Sequence, residues 1–155
     1  MKKSIKTKEV FAAYLLVSNA KVEGLDDEAI MKLFRVGRAM HGVARQFDED
    51  QRKIAEMFKP EGYDEKIAAW NETSQRRALG MTEGLPMTPQ EYTDFTYGVV
   101  EPYNRKVNEH VKEYAEALVE IDIEPWTDDE VRKLGTANKW NMGQIVELAE
   151  ILCNH

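Results

Sequence analysis

The sequence predicts a mainly α protein, a single-domain helical bundle with two long helices and one small β element. Apolar residues recur at spacings of three and four over most of the chain, which is the period of an amphipathic helix. Capping residues precede several of these segments, whereas one short run, 119–124, alternates strictly between apolar and acidic residues, as a half-buried strand does. The 155 residues are enough to bury a core, so we expect one domain over 1–155.

The first of the long helices is predicted in the N-terminal part of the chain. Thr7 can cap an initial helix that runs to about Ala20. Asp26 opens the next helix, with acids in its first turn, where the helix dipole favours them. The apolar spacing continues to Pro60 apart from a polar patch over 48–53, which predicts one helix of about 30 residues with a kink at the patch.

A second long helix is predicted after a less regular region. A weaker helix covers 64–78, and two glycines and a proline make 79–87 a turn or a short extended segment. Thr88 then caps a helix that continues to the acidic strand. Pro102 lies inside this helix. Because a proline clashes with the carbonyl of the residue four before it, here Gly98, we expect a bend.

The strand 119–124 needs a pairing partner, because a lone strand leaves its backbone donors and acceptors unsatisfied. Three partners are open from the sequence: the segment 79–87, the basic segment 2–6, or another chain added at an exposed edge. The lysines of the basic segment would lie well opposite the acids of the strand. After the strand, Thr127 and Asn141 cap two further helices.

The net charge of −7 is confined to one stretch of the chain. The protein has 28 acidic and 21 basic residues, and residues 113–130 contain eight of the acids but no Lys or Arg. These acids are Glu113, Glu116, Glu120, Asp122, Glu124, Asp128, Asp129 and Glu130. The last three fill the first turn of a capped helix, so the strand acids Glu120, Asp122 and Glu124 are the ones left for contact with a partner.

No pattern in the sequence predicts an enzyme. A helical di-metal site needs a glutamate three residues before a histidine, and none of the histidines has one. Glu109, His110 and Glu113 are an alternative metal cluster on one helix, although a surface cluster is favoured. No hydrolase nucleophile motif or phosphate-binding loop occurs, and Cys153 is predicted to be a small buried hydrophobe. We therefore expect no catalytic residue, no metal and no cofactor.

The charge and hydropathy of the chain disfavour nucleic acids and membranes as partners. The acidic balance disfavours direct nucleic-acid binding, and the last helix, which would enter the groove in a helix-turn-helix, carries Glu147 and Glu150 but no base. No run approaches the roughly 20 apolar residues that span a bilayer. The apolar run 10–17 is too short for a signal peptide and is followed by polar residues. A single cysteine fits a reducing compartment, so we expect an intracellular protein.

Trp126 and Trp140 are the aromatic candidates for a contact surface. They flank the short helix that follows the strand, and packing over that helix is favoured, although aromatic residues also concentrate the binding energy of interfaces. With the strand acids, they complete the predicted interaction residues, which are Glu120, Asp122, Glu124, Trp126 and Trp140.

The run 120–130, Glu-Ile-Asp-Ile-Glu-Pro-Trp-Thr-Asp-Asp-Glu, is followed by Asn-Lys-Trp-Asn from Asn138 and Gln-Ile-Val-Glu-Leu from Gln144. This C-terminal part resembles small uncharacterised helical proteins carried by phages and prophages of gut bacteria. Glu-Val-Phe from Glu9 and Phe-Lys-Pro-Glu-Gly from Phe58 are similar as well. The resemblance implies a phage or mobile-element origin and carries over no site residue and no activity.

These observations predict a non-enzymatic phage-type protein that acts by contacting another protein. It would serve as an assembly or virion accessory factor, or as a self-associating module, in the host cytoplasm or in the virion. The alternative is a small acidic inhibitor or anti-defence protein that occupies a basic, nucleic-acid-binding site on its target.

Overall fold

Helices make up most of the computed structural model, which describes residues 1–154. In chain order the elements are β1 Lys2–Lys6, α1 Thr7–Ser18, α2 Asp27–Met57, α3 Tyr63–Ala78, α4 Pro89–Phe95, a π-helical turn Thr96–Val100, α5 Glu101–Glu116, β2 Leu118–Asp122, α6 Asp128–Ala137 and α7 Met142–Leu152. The mainly α class with one small β element is confirmed. The bundle arrangement with two long helices stays a prediction, as does the single domain.

The chain divides into two compact units. Unit 1 comprises Met1–Asp50 and the described residues from Glu113 onwards, and unit 2 comprises Gln51–Lys112. Unit 1 is therefore built from two separate stretches of sequence, whereas unit 2 is one continuous stretch.

The sheet of unit 1 consists of β1 and β2, which pair antiparallel with Lys2 opposite Asp122 and Lys6 opposite Leu118. Of the three partners open from the sequence, the basic N-terminal segment is the one that pairs with the acidic strand. The observed strand ends at Asp122, two residues earlier than predicted, and Ile123 still donates its N–H to the carbonyl of Met1 at 2.9 Å.

One side of this sheet covers the core of unit 1. Ile5 of β1 and Ile121 of β2 are buried there, whereas Lys2 and Glu120 on the other side are exposed. The buried cluster consists of Ile5, Val10, Ala13, Val17, Leu33, Val36, Met40, Ile121, Ile123, Trp126, Val131, Leu134, Leu148, Ile151, Leu152 and Cys153. The alternation in 119–124 thus predicted correctly which side chains of the strand point inward.

Helix α2 confirms the long helix predicted from apolar spacing. The Asp26 carboxylate accepts the N–H of Ala29 at 2.8 Å, which satisfies one of the unpaired donors at the first turn. The helix continues to Met57, and the polar patch at 48–53, where a kink was predicted, does not interrupt it.

Three of the other predicted helix caps are present. The side chains of Thr88, Thr127 and Asn141 each accept the N–H of the residue three positions later. Thr7 is different, because α1 begins at Thr7 itself. Its hydroxyl and its N–H both donate to the carbonyl of Ala117, at 2.8 and 2.9 Å. Thr7 is buried and extends the strand ladder instead of capping the helix, so its prediction as a cap was wrong.

Unit 2 has its own small core around Met87, Phe95 and Val100. The Thr73 hydroxyl accepts the Met87 N–H at 3.2 Å and donates to the Ala69 carbonyl at 2.8 Å. This buried hydroxyl therefore fixes the segment 79–88, in which the structure assigns no helix or strand, against α3.

A π-helical turn separates α4 from α5 where the sequence predicted a continuous but bent helix. In this turn the Glu101 N–H reaches the carbonyl of Thr96. Pro102 follows directly and has no N–H to offer the carbonyl of Gly98, so the regular ladder is interrupted here. The Thr96 hydroxyl accepts the indole N–H of Trp70 at 2.7 Å, which links the turn to α3.

Candidate interaction surface

The three predicted strand acids all have cationic partners within unit 1. Glu120 lies 3.7 Å from the Lys2 ammonium, and Asp122 lies 3.0 Å from the N-terminal ammonium of Met1. Glu124 lies 2.5 Å from the guanidinium of Arg35 on α2. The acidic side of β2 is therefore balanced by β1 and α2, although these pairs are exposed and contribute little stability.

Most of the remaining acids in 113–130 are balanced in the same way. Ion pairs join Glu116 to Lys6 and Lys8, Asp129 to Arg132 and Lys133, and Glu130 to Lys32. At least six of the eight acids thus have a cationic group within 4 Å. The stretch is acidic in sequence, but the fold places bases beside it, from distant parts of the chain for all of these acids except Asp129.

Glu116 has the strongest electrostatic environment of these acids. Hydrogen bonds from Lys8 and Lys6, with their charges, lower the pKa of its carboxyl from 4.5 to about 2. The same contacts raise the pKa of Lys6. Lys6 directly precedes α1, and Glu116 is the last residue of α5. The pair therefore stabilises the end of the sheet at which α1 begins and α5 ends.

Removal of the Glu116 charge is expected to weaken the acid dependence of stability. A carboxyl with a folded pKa of about 2 against an ordinary 4.5 stabilises the fold above pH 4.5, and the effect is lost as the pH falls toward 2. The stability difference between wild type and Glu116→Gln should therefore shrink between pH 6 and pH 3, measured by urea denaturation followed by circular dichroism. Glu113→Gln, one turn earlier on the same helix, removes one acidic charge outside the contacts with Lys6 and Lys8 and is the matched control. A pH-independent difference for Glu116→Gln would contradict the expectation.

Trp126 and Trp140 both pack against the core of unit 1. Trp126 is only 5% exposed, and its backbone N–H donates to the Leu152 carbonyl at 2.9 Å. Trp140 is half-buried at the edge of the same cluster. The structure thus gives both residues a packing environment, and their role in contacts with a partner stays a prediction.

The other residues considered for chemistry also have structural contacts. Burial, with a hydrogen bond to Asp128, raises the pKa of the Cys153 thiol to about 11, so the thiolate form is strongly disfavoured. His110 packs its ring 4.3 Å from that of Phe58. Within residues 1–154, no group of three or more His, Cys, Asp and Glu side chains is placed to hold a metal ion.

A groove lies beside β1 on the surface of unit 1. It has a volume of about 830 Å³ and is lined by β1, α1, α7 and the first residue of β2. Its apolar lining comes from Ile5, Ala12, Ala13, Leu16, Leu118, Leu148 and Ile151. Leu118 is 67% exposed. Sequence reasoning missed this groove, because its walls come from both ends of the chain.

The β1 strand presents an unpaired edge to the groove. Met1 and Thr7 make the ladder bonds at the two ends of the sheet, so odd-numbered residues of β1 exchange hydrogen bonds with β2. The N–H and carbonyl of Ser4 consequently point away from β2. No residue in 1–154 hydrogen-bonds to them. An exposed edge of this kind is a template for pairing with another strand.

The lysines that line the groove have partners within residues 1–154, whereas two of the glutamates do not. The Lys3 ammonium donates to the carbonyls of Glu150 and Cys153 at 2.7 and 2.6 Å, which caps the C-terminal end of α7. Lys6 and Lys8 form ion pairs with Glu116, the last residue of α5. The carboxylates of Glu147 and Glu150, in contrast, are exposed and have no base within 4 Å among the described residues.

Comparison of the chain with protein-family models, curated proteins and solved structures finds no match. The resemblance to phage and prophage proteins therefore stays a prediction. No helix in residues 1–154 is both long enough and apolar enough to cross a membrane.

Proposed function

We propose that this chain is a non-enzymatic, phage-type protein that acts by binding another protein through the groove beside β1. The observation that carries the proposal is the groove itself, in which an unpaired strand edge and apolar side chains lie next to each other. Binding there would make the protein an assembly or virion accessory factor, or a self-associating module, in the host cytoplasm or the virion.

The surroundings of the groove support a binding role. Leu118 exposes most of its side chain at the groove, and burial of an exposed leucine in an interface is favourable. The sheet has only two strands, so β1 has one neighbour and its other edge can accept a third strand. The groove lining contains lysines and glutamates but no nucleophile with an adjacent base, which is more typical of recognition than of catalysis.

The alternative, an acidic inhibitor of a nucleic-acid-binding protein, has less support. Such a protein needs acids that are available to a basic target. The strand acids Glu120, Asp122 and Glu124 already have cationic partners, so a target would first have to displace these partners.

The proposed function predicts that a charge in the groove abolishes partner binding. Affinity capture from infected host cells should retrieve a specific protein with the wild type, and Leu118→Glu should reduce its recovery by about tenfold or more. Met142→Glu is the matched control, since Met142 is 71% exposed on α7 outside the groove lining. Static light scattering of the purified protein tests the self-associating form. A monodisperse monomer that captures no protein would overturn the proposal.

A further inference from the structure

We infer that the groove beside β1 takes an extended segment of a different protein, which adds to the free edge of β1 as a third strand and carries basic residues for Glu147 and Glu150. The inference rests on the proposed function and goes further, because it names the conformation and the charge of the bound segment.

The register provides the hydrogen bonds for an added strand. The backbone groups of the even residues Lys2 and Ser4 point away from β2, so each can exchange an N–H and a carbonyl with a strand on the outer side. Lys6 cannot take part fully, because it precedes the first turn of α1 and its N–H faces the Glu9 carboxylate at 3.4 Å. The docked part of the partner strand is therefore short and centred on Lys2 and Ser4.

The groove provides pockets for alternate side chains of such a strand. Side chains on the inner face of an added strand would lie over Ile5, Leu16 and Ile151, which are apolar. Side chains on the opposite face would be polar, with those at the rim of the groove beside the exposed Glu147 and Glu150. This division predicts alternating apolar and polar residues in the partner, as strand addition generally does.

The unpaired charges favour a basic partner. Lys3, Lys6 and Lys8 are already engaged by carbonyls or by Glu116, whereas the carboxylates of Glu147 and Glu150 on α7 have no cationic partner among residues 1–154. A lysine or arginine in the bound segment would therefore meet the two acids that the fold leaves unpaired.

The same charges disfavour a second copy of this chain as the occupant. An antiparallel β1–β1 pair centred on Ser4 would place Lys2 opposite Lys6 of the copy, and one centred on Lys3 would place the two Lys3 residues opposite each other. Like charges directly opposite each other destabilise an antiparallel pair. These two registers of a second copy are therefore disfavoured, which favours a strand from another protein.

The test uses a labelled seven-residue peptide of alternating valine and lysine, with glutamate in place of lysine in a matched peptide. Fluorescence polarisation with the full chain should show binding of the valine–lysine peptide at least about tenfold tighter than its acidic counterpart. Ser4→Pro removes an N–H that points away from β2, so no hydrogen bond to β2 is lost. Proline is also tolerated at a strand edge. The substitution should weaken binding about tenfold. Amide exchange of Ser4 should slow when the peptide is bound.

Two further comparisons separate strand addition from other modes. Of two peptides N-methylated on alternate residues, one on the valines and one on the lysines, only one should bind, because only one set of amides faces β1. This change leaves the protein fold untouched. Glu147→Lys with Glu150→Lys should weaken binding about tenfold. Glu23→Lys with Glu28→Lys, exposed acids elsewhere in unit 1, changes the net charge equally and should not.

The outcomes distinguish this inference from the proposed function. Suppose that Leu118→Glu abolishes capture of a cellular partner, but the Ser4→Pro variant binds the peptide normally and the wild type binds both N-methylated peptides normally. Strand addition is then overturned and the proposed function stands. Tighter binding of the acidic peptide overturns the predicted charge of the partner. A wild-type dimer that Ser4→Pro converts to a monomer makes the occupant a second copy and likewise overturns the inference.

Discussion

Replacement of Trp126 by alanine is expected to lower the free energy of unfolding by about 3–5 kcal/mol. Its ring is 5% exposed within the core of unit 1, and the Lys32 ammonium lies 5.7 Å from the ring centroid. Truncation therefore removes a large buried side chain and leaves a cavity between the end of β2 and α7. Urea denaturation followed by circular dichroism at 222 nm measures the change.

Trp126→Phe sharpens this prediction, because the indole Nε1 is buried without a hydrogen-bond partner in residues 1–154. A buried polar group without a partner costs about 1–3 kcal/mol, and phenylalanine removes that group while it keeps an aromatic ring. We expect Trp126→Phe to lose less than half as much stability as Trp126→Ala. Equal losses would contradict the account. Trp140→Ala, at a half-buried site, should fall between the two.

Gly135→Val is expected to destabilise the protein by about 3 kcal/mol through overpacking between α6 and α7. A Cβ atom at Gly135 would lie 2.5 Å from Cγ1 and 2.7 Å from Cδ1 of Ile145. Ile145 cannot readily rotate away, because a β-branched side chain in a helix has one strongly preferred rotamer. Even alanine at this position should therefore be destabilising, by about 1–2 kcal/mol, despite its better helix propensity.

The cause can be tested by removal of the opposing side chain. In an Ile145→Ala background the clash is absent, so Gly135→Ala should become neutral or stabilising by up to about 1 kcal/mol, as helix propensity alone requires. Urea denaturation of the four members of this double-mutant cycle gives the coupling energy. If Gly135→Ala costs the same in both backgrounds, the contact with Ile145 does not determine the choice of glycine.

Local features of the fold were predicted well from the sequence. The extent of α2 follows from its apolar spacing, and the caps at Thr88, Thr127 and Asn141 follow from side chains that bond to residues three positions away. Apolar spacing and capping each involve residues within one or two helical turns, so the local sequence is enough to predict these features. The strand faces were equally local, since alternation fixes which side chains point inward.

Nonlocal features were not predictable in the same way. The partner of the acidic strand was open among three candidates, because pairing between β1 and β2 joins residues more than a hundred positions apart. The sequence also showed the acids as one cluster, whereas their bases, such as Arg35 and Lys32, come from a distant helix. The groove could not be predicted for the same reason, since it depends on how α1, α7 and β1 pack together.

The π-helical turn shows a different limit. Pro102 predicted a disturbance, but its form depends on how the unpaired carbonyls upstream find other donors. The hydrogen bond from Trp70 to the Thr96 hydroxyl, at 2.7 Å, belongs to the tertiary structure of unit 2 and leaves no mark on the local pattern.

The division of unit 1 into two stretches has a consequence for its synthesis. Unit 2, being continuous, is complete in the growing polypeptide before Glu113 has been added. The strand β1, in contrast, is synthesised long before β2 and has no ladder partner until Leu118–Asp122 follows. During translation β1 thus exposes both of its edges, and a chaperone or a neighbouring nascent chain meets the basic segment before its own acidic strand does.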